Sequence, residues 1–511
     1  PYEQPAALFA PDSKFRMEHD YSDAPFSQAY RNLFALLVAP EHRRALLLGE
    51  RQPEADKAVG LHGTYQPHLA DVLLRARQAK DYFLLVGPPG TGKTNVALRA
   101  LVEEFIEDRR RGLLRHGNLL LTAYTNRAVD EICGMLENVA KVYPEADYIR
   151  IGAEQTCAEP YRPRLFSNLA AAATNRRAVR SLLDHTYIYI GTLTTLTGTP
   201  QLFRIKQFDC ALFDEASQIL EPQALGLLCA KTEKGESAIG KFVFIGDHKQ
   251  LPAVVLSPEA QTAVRDPQLN DIGLLDTADS LFERLHRLQM RSGDGRFVGL
   301  LNRQGRMHPD IADFVNRKFY GGELRPVPLP HQKETALPAP GADPLEQFAA
   351  STRLGFIDIV PDTPPQNNKA NEAEADMVAR LVQALIALYG RNGREIEPAE
   401  SVGIIVPFRS QIACVRSRLQ QAGIRGAEQI TVDTVECYQG SQRDFIIFST
   451  TISRPYQLDV LSSVQRIGGA DIDRKLNVAI TRARRAFFMV GNRTLLEGSA
   501  IYKELIAASE C

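Results

Sequence analysis

The run GPPGTGKT, Gly87 to Thr94, is where residue types and spacing first specify chemistry. Gly87, Gly90 and Gly92 let the backbone curl until its amide N–H groups converge on phosphate oxygens. Lys93 is placed to reach β- and γ-phosphates, and the Thr94 hydroxyl to reach Mg²⁺. The whole run, including Pro88, Pro89 and Thr91, is expected to hold a nucleotide. It follows the apolar stretch YFLLV (82–86) and opens the helical stretch TNVALRALVEEFI, the strand–loop–helix context that such a loop needs. The helix N-terminus adds partial positive charge. A second apolar stretch, CALF, ends directly on Asp214 and Glu215. An acid pair after a strand is ordinarily a solvated loop. Beside a phosphate loop, Asp214 becomes a Mg²⁺ partner and Glu215 the group that polarises an attacking water. Together these residues predict hydrolysis of a nucleoside triphosphate.

The elements that must position them are short apolar strands alternating with helices. In the first half the strands are YFLLV, NLLLTA (118–123), YIYIG (187–191), CALF (210–213) and FVFIG (242–246). In the second half they are LGFIDIV (354–360), SVGIIV (401–406), QITVDTV (429–435), DFIIFSTTI (444–452) and AFFMVG (486–491). Such alternation predicts parallel sheets with helical crossovers, an α/β fold in two successive units. The first unit is expected over residues 61–300 and the second over 301–511, after a helical N-terminal segment, 1–60, that carries no evident chemistry and could be the remnant of an upstream domain. More than sixty residues separate the second and third strands, too many for a simple connection. They predict a helical insert near 145–182. The stretch 325–350, rich in Pro and Ala, reads as a linker or surface excursion.

The chain has 511 residues, 44% of them apolar, which excludes wholesale disorder. Sixty basic residues against 61 acidic ones give a net charge of −1, so any nucleic-acid binding must use a local basic surface. The seven cysteines, Cys133, Cys157, Cys210, Cys229, Cys414, Cys437 and Cys511, include no CxxC pair, so neither a disulfide framework nor a compact zinc site is expected. A reducing compartment, the cytoplasm or nucleus, is the reading. No apolar run approaches the roughly 20 residues that cross a bilayer, so no membrane partner is expected. The acidic, proline-broken first twenty residues are no signal peptide. The chain starts at Pro1 rather than Met, which leaves an upstream domain open.

In order along the chain come DEASQ, GDHKQLPAVV (246–255), LNRQGRMHPDIADF (301–314), VPFRSQ (406–411), TVECYQG (434–440) and RKLNVAITRARRAFFMVGN (474–492). This ordered set resembles the superfamily 1B helicases, in the branch of the nonsense-mediated-decay RNA helicase and the replication nuclease-helicase. The match runs from about residue 82 to 492. The resemblance implies two tandem RecA-like domains with ATP and Mg²⁺ between them. It implies an ATP-dependent helicase or translocase moving 5′-to-3′ on single-stranded nucleic acid, with DNA taken ahead of RNA and the chain acting as a monomer. A nucleic-acid-stimulated ATPase clamp that does not unwind is the alternative. Some relatives join such a motor to an iron–sulfur nuclease domain on the N-terminal side. That cluster needs four thiolates, and residues 1–81 contain no cysteine, so this chain carries no such nuclease.

Residue by residue, the resemblance assigns Arg306 and Arg482 as the arginines that stabilise γ-phosphate charge. Gln218 and Gln250 become sensors of the phosphate or its water, with Asp247 orienting their loop. Gln439 and Gly440 line the cleft, and Gln66 is the candidate adenine contact. Thr125, Asn126, Thr192, Pro252, Arg409 and Thr434 are the candidate strand contacts, although a threonine after a strand is as often a helix cap. Asn371 and Glu374 resemble a further cluster, or else form a cap with a first-turn acid. Arg162, Arg164, Arg176, Arg177 and Arg180 in the insert could serve as a strand clamp. The chain departs from the family in three places. Gly305 stands where an aromatic usually packs near the base, so base stacking is expected to be missing. Gln442 stands where an acid is frequent, and Glu436 where Asp is common.

Overall fold

The computed structural model describes residues 24–360 and 368–509. Cys511 and the first 23 residues of the N-terminal segment, Pro1 among them, lie outside them. The first unit is a seven-stranded sheet. Its strands are β1 (Tyr82–Val86), β2 (Leu119–Ala123), β3 (Tyr148–Ile151), β4 (Ile188–Thr192), β5 (Phe208–Asp214), β6 (Ile239–Gly246) and β7 (Val298–Leu300), in the spatial order β3-β4-β2-β5-β6-β1-β7. Every pairing in it is parallel. β1, β2 and β4 are buried along their whole length, as expected of strands covered on both faces. Phe83, Leu85, Leu119 and Leu121 face one core, and Tyr82, Leu84, Val86 and Leu120 the other.

Two helices, α1 (Ala24–Leu37) and α2 (Glu41–Leu47), precede this sheet. Leu46 and Leu47 join its second core, and the buried Arg43 donates to the Ile239 carbonyl at 2.7 Å. They therefore pack against the first unit. The stretch expected to be a helical insert is also built differently. It opens with β3, which forms the sheet's edge beside β4, and only then runs through α-helices at Phe166–Ala172 and Arg176–His185. Arg150, buried within β3, pairs with Asp130. A charged side chain in YIRI had masked that strand.

β8 (Arg303–Gln304) and β9 (Arg325–Pro326) form a short parallel pair. The second sheet follows, with β10 (Leu354–Asp358), β11 (Val402–Ile405), β12 (Thr431–Asp433), β13 (Arg443–Ser449) and β16 (Ala483–Gly491) in the order β10-β16-β13-β11-β12. It too is entirely parallel. A small hairpin, β14 (Val464–Ile467) with β15 (Ala470–Asp473), precedes the helix Arg474–Ile480. The Pro-rich stretch after Arg325 is no linker. The buried Gln332 donates to the Gln304 and Met307 carbonyls at 3.1 and 2.9 Å, and the buried His331 contacts the Arg306 carbonyl at 2.9 Å. These bonds strap residues 325–332 across residues 303–307.

Candidate active site

The phosphate loop leaves β1 at Val86 and re-enters helix through a π-helical turn, Lys93–Leu98, a feature frequent at functional sites. Gly90 has φ +75°, and a Cβ there would stand 2.5 Å from the Cβ of Arg306. Only glycine lets the second unit come this close. The Gly305 amide donates to the Gly90 carbonyl at 2.8 Å, so the segment after β8 docks directly on the loop.

Between the two units lies a cavity of about 780 Å³. Pro88, Pro89, Gly90, Gly92, Lys93, Thr94 and Asn95 line it from the loop, and Glu215 and Gln250 from beyond β5 and β6. The second unit contributes Gly305, Arg306, Leu329, Gly440, Gln442 and Arg482. Glu131, Gly134, Met135 and Asn138 complete the wall from one face of the helix Asn126–Ala140. The volume suits a nucleotide-sized ligand. Gly87 and Thr91 support the loop from behind, Gly87 through the Lys93 ammonium, which donates to its carbonyl at 2.9 Å. Thr91 Oγ1 donates to the Pro88 carbonyl at 2.7 Å. Gln439 and Gln66 are not among the lining residues. Gln66 is exposed at the N-cap of the helix Pro67–Gln78.

Thr94 Oγ1 donates to Asp214 Oδ2 at 2.7 Å, so hydroxyl and carboxylate stand side by side at the mouth of the loop. Burial, reinforced by the Glu215 charge, pushes the Asp214 carboxyl up to about 6. One hydroxyl and one carboxylate beside phosphate oxygens is the donor set that Mg²⁺ takes, and a divalent cation there would favour the ionised carboxylate. Glu215 sits at φ +50°, a backbone region rarely taken by residues with side chains and associated with functional strain. Its Oε2 accepts from Gln218 Nε2 at 3.3 Å, so Gln218 bears on the cavity through Glu215.

Arg482 is 2% exposed. Its guanidinium donates to Gln250 Oε1 at 3.2 Å, to the Val478 carbonyl at 3.1 Å and to the Ser441 carbonyl at 3.4 Å. Arg306 Nε donates to Gln442 Oε1 at 3.0 Å, and its Nη1 to the Thr481 carbonyl at 3.2 Å. Gln442, which stands where an acid is frequent in the family, thus holds an arginine. Burial lowers Arg306 to about 10 and Arg482 to about 9, so both stay cationic at neutral pH. Among the described residues neither forms an ion pair, although Glu215 lies near enough to favour both charges. A buried cation beside a half-buried one, each with only neutral hydrogen-bond partners, is costly unless an anion completes them. They face a loop built to bind one.

The place expected to lack an aromatic is not empty. Leu329 Cδ1 lies 3.1 Å, and Val327 Cβ 3.7 Å, from where a Cβ on Gly305 would stand. The strapped segment puts an aliphatic side chain there, a feature visible only once residues 325–332 are seen to cross 303–307.

The candidate strand contacts lie at or after the carboxyl ends of strands in both sheets. Thr192 ends β4 and Thr125 lies just past β2, Pro252 follows β6, and Arg409 and Thr434 follow β11 and β12. These are the carboxyl ends of parallel strands, where α/β folds bind ligands. Thr125 and Thr192 are helix N-caps, their hydroxyls accepting from Ala128 N and Thr195 N at 3.2 and 3.3 Å. Asn126 opens the helix capped by Thr125, and Arg409 is exposed. Asn371 likewise caps a helix, accepting from Glu374 N at 3.2 Å, while the buried Glu374 accepts from Ser449 Oγ at 2.7 Å and Thr451 N at 2.8 Å. This cluster braces the second unit away from the cavity. In the insert, Arg164 pairs with Asp147 and Glu137, Arg162 with Glu154 and Arg180 with Asp184, while Arg176 and Arg177 form no ion pair among the described residues.

Two family profiles, each described as an AAA domain, match the chain, one over residues 66–178 and 164–258 and the other over 277–494. The chain is 28% identical over 433 residues to the Arabidopsis thaliana "DNA replication ATP-dependent helicase/nuclease JHS1", covering 83% of this chain and 28% of the relative. It is 29% identical over 489 residues to the Gallus gallus "DNA replication ATP-dependent helicase/nuclease DNA2", covering 92% and 40%. The "Probable helicase MAGATAMA 3" of Arabidopsis thaliana is 26% identical over 435 residues, covering 80% and 47%. The chain thus spans less than half the length of these relatives.

Proposed function

We infer the function of this chain from its place in superfamily 1B of the helicases, to which it belongs, in the branch of the replication helicase/nucleases. It is an ATP-dependent helicase or translocase that acts on single-stranded nucleic acid. The observation that carries this reading is the pair of cationic guanidiniums, the half-buried Arg306 and the buried Arg482, that the second unit presents to the first unit's phosphate loop without an ion-paired carboxylate among the described residues. A kinase or a single-unit nucleotide switch has no use for a second parallel sheet brought this close to the loop.

In this reading the loop amides and Lys93 hold the β- and γ-phosphates. Lys93 exchanges the Gly87 carbonyl for phosphate oxygen. Thr94 and Asp214 would hold Mg²⁺, which supplies charge neutralisation at the β- and γ-oxygens. Glu215 orients the attacking water and takes its proton, steadied by Gln218. Arg306 and Arg482 stabilise charge on the transferring phosphoryl group, and that engagement draws the two units together. Release of phosphate then loosens them. Such an open–close cycle moves a strand gripped at the carboxyl ends of both sheets, where Thr125, Asn126, Thr192, Pro252, Arg409 and Thr434 lie. Travel 5′-to-3′, a preference for DNA, monomeric action and residence in the cytoplasm or nucleus are proposed by resemblance. The free cysteines fit a reducing compartment. Attachment to an N-terminal nuclease domain in the longer protein is proposed from the relatives' names. The test is ATP hydrolysis with and without single-stranded DNA or RNA. A rise on adding strand is expected, and hydrolysis indifferent to both polymers would overturn the reading.

Base recognition yields its own expectation. With Leu329 already over Gly305, Gly305→Tyr alone should raise the Michaelis constant for ATP by crowding the cavity. Combined with Leu329→Ala, the new ring gains room to stack, a contact worth about 0.5–1.5 kcal/mol, or about two- to tenfold in affinity. Steady-state kinetics of the single and double variants measure this. An equal Michaelis constant in both would mean that Leu329 does not border the base.

A further inference from the structure

Asp247, wholly buried at the end of β6, has no cationic partner among the described residues. Three neutral donors satisfy it. Oδ1 accepts from the Lys249 amide at 3.0 Å, and Oδ2 accepts from Gln250 Nε2 at 2.8 Å. The third donor comes from the other unit: the Tyr320 hydroxyl donates to the same Oδ2 at 2.6 Å. Tyr320 follows the helix Pro309–Phe319 and is itself buried, with the Lys249 ammonium 5.3 Å from its ring centre. Its oxygen accepts from Asn477 Nδ2 at 3.0 Å, and Asn477 also donates to the Lys249 carbonyl at 2.6 Å.

The polarity of this chain of bonds settles how Gln250 is turned. A carboxylate can only accept, so the amide nitrogen of Gln250 must face Asp247. Its oxygen is thereby directed to Arg482, which donates to it at 3.2 Å. Asn477 and Arg482 belong to one short stretch, the helix Arg474–Ile480 and the turn after it. At the start of that helix the buried Arg474 pairs with the buried Glu283 of the first unit. The helix that delivers Arg482 is therefore pinned to the first unit at its beginning and its middle, and the middle pin runs both directly, from Asn477 to the Lys249 carbonyl, and through the Tyr320 hydroxyl to Asp247.

Resting on the proposed hydrolysis, we propose that Tyr320 is a positioning residue for it. Its hydroxyl ties Asp247 only when the two units are closed, and by holding that carboxylate fixes Gln250 with its acceptor oxygen toward Arg482 and the γ-phosphate end of the cavity. Opening the cleft withdraws the hydroxyl, and Gln250 loses its orientation. Tyr320 thus makes Gln250 competent in the closed state alone.

The test is the Tyr320→Phe protein, which lacks one oxygen and keeps the ring, compared with wild type, Gln250→Ala and the double variant. Single-turnover hydrolysis is measured at saturating single strand, and ATP affinity by the Michaelis constant. Tyr320→Phe should lower the hydrolysis rate about tenfold or more, with the Michaelis constant within about twofold, as expected for lost orientation rather than lost binding. In the Gln250→Ala background it should cost nothing further, because the group it orients is gone. Asn477→Ala, which removes the donor behind the hydroxyl, should reproduce the same pattern. A wild-type rate in Tyr320→Phe, or losses that multiply in the double variant, would overturn the proposal. The wild-type response to single strand in the same assay reports separately on the function itself.

Discussion

Arg482→Ala should bind ATP almost as wild type does and hydrolyse it about 10³-fold more slowly, the scale of an arginine that stabilises a transferring phosphoryl group. Binding survives because Lys93, the loop amides and the Thr94–Asp214 pair already hold the ground state from the first unit. Hydrolysis is expected to fail because the buried guanidinium, bonded among the described residues to Gln250, carbonyl oxygens and the Thr481 hydroxyl, is in the proposed mechanism the charge the second unit keeps for the γ-phosphate. Arg482→Lys should rescue poorly. An ammonium keeps the charge but lacks the planar fork that reaches Gln250 and phosphate together. Single-turnover hydrolysis with saturating strand makes the comparison, and a near-normal rate in Arg482→Ala would reduce this arginine to a structural cation.

Glu215→Gln should produce an equally large loss by a different route. The amide keeps the shape and the contact with Gln218 but cannot take a proton, and loss of a general base is worth about 10²–10⁴-fold. ATP affinity should hold or rise slightly, since one negative charge leaves a cavity that receives phosphates. Asp214 beside it should also ionise more readily, because the Glu215 charge is one of the causes that push its carboxyl up. The variant should therefore stay closed on nucleotide and strand. Equilibrium nucleotide binding together with turnover separates the outcomes: weakened binding with turnover spared would mean that Glu215 serves affinity and not catalysis.

The parts of this site that were legible in the sequence are those whose chemistry is contiguous. The phosphate loop, Asp214–Glu215 and the strands before them announce themselves because strands buried on both faces are continuous apolar runs. β3 and β7 escaped for opposite reasons. YIRI carries a buried arginine whose neutralising partner, Asp130, lies in the helix before it, and VGL is three residues long. Proline content made residues 325–350 read as a linker, whereas His331 and Gln332 use their side chains to strap that stretch over the loop-facing segment. The Leu329 position followed from that error. Tyr320, Asn477 and Glu131 could not have been singled out from sequence. Each looks like an ordinary helix or turn residue until a partner from far along the chain is brought against it. Asp247 is 73 positions from Tyr320, and a Cβ on Gly440 would meet Glu131 Oε1 at 3.0 Å.

The most direct measurement of the central claim is ATP-driven displacement of a labelled strand from duplexes carrying a single-stranded tail at either the 5′ or the 3′ end, in DNA and in RNA. Lys93→Ala serves as the protein that keeps the fold and loses the phosphate-holding ammonium. Displacement from 5′-tailed duplex is expected, dependent on ATP, absent with Lys93→Ala and faster on DNA than on RNA. Strand-stimulated hydrolysis with no displacement from any tailed duplex would contradict the central claim and leave an ATP-fuelled clamp in place of a motor.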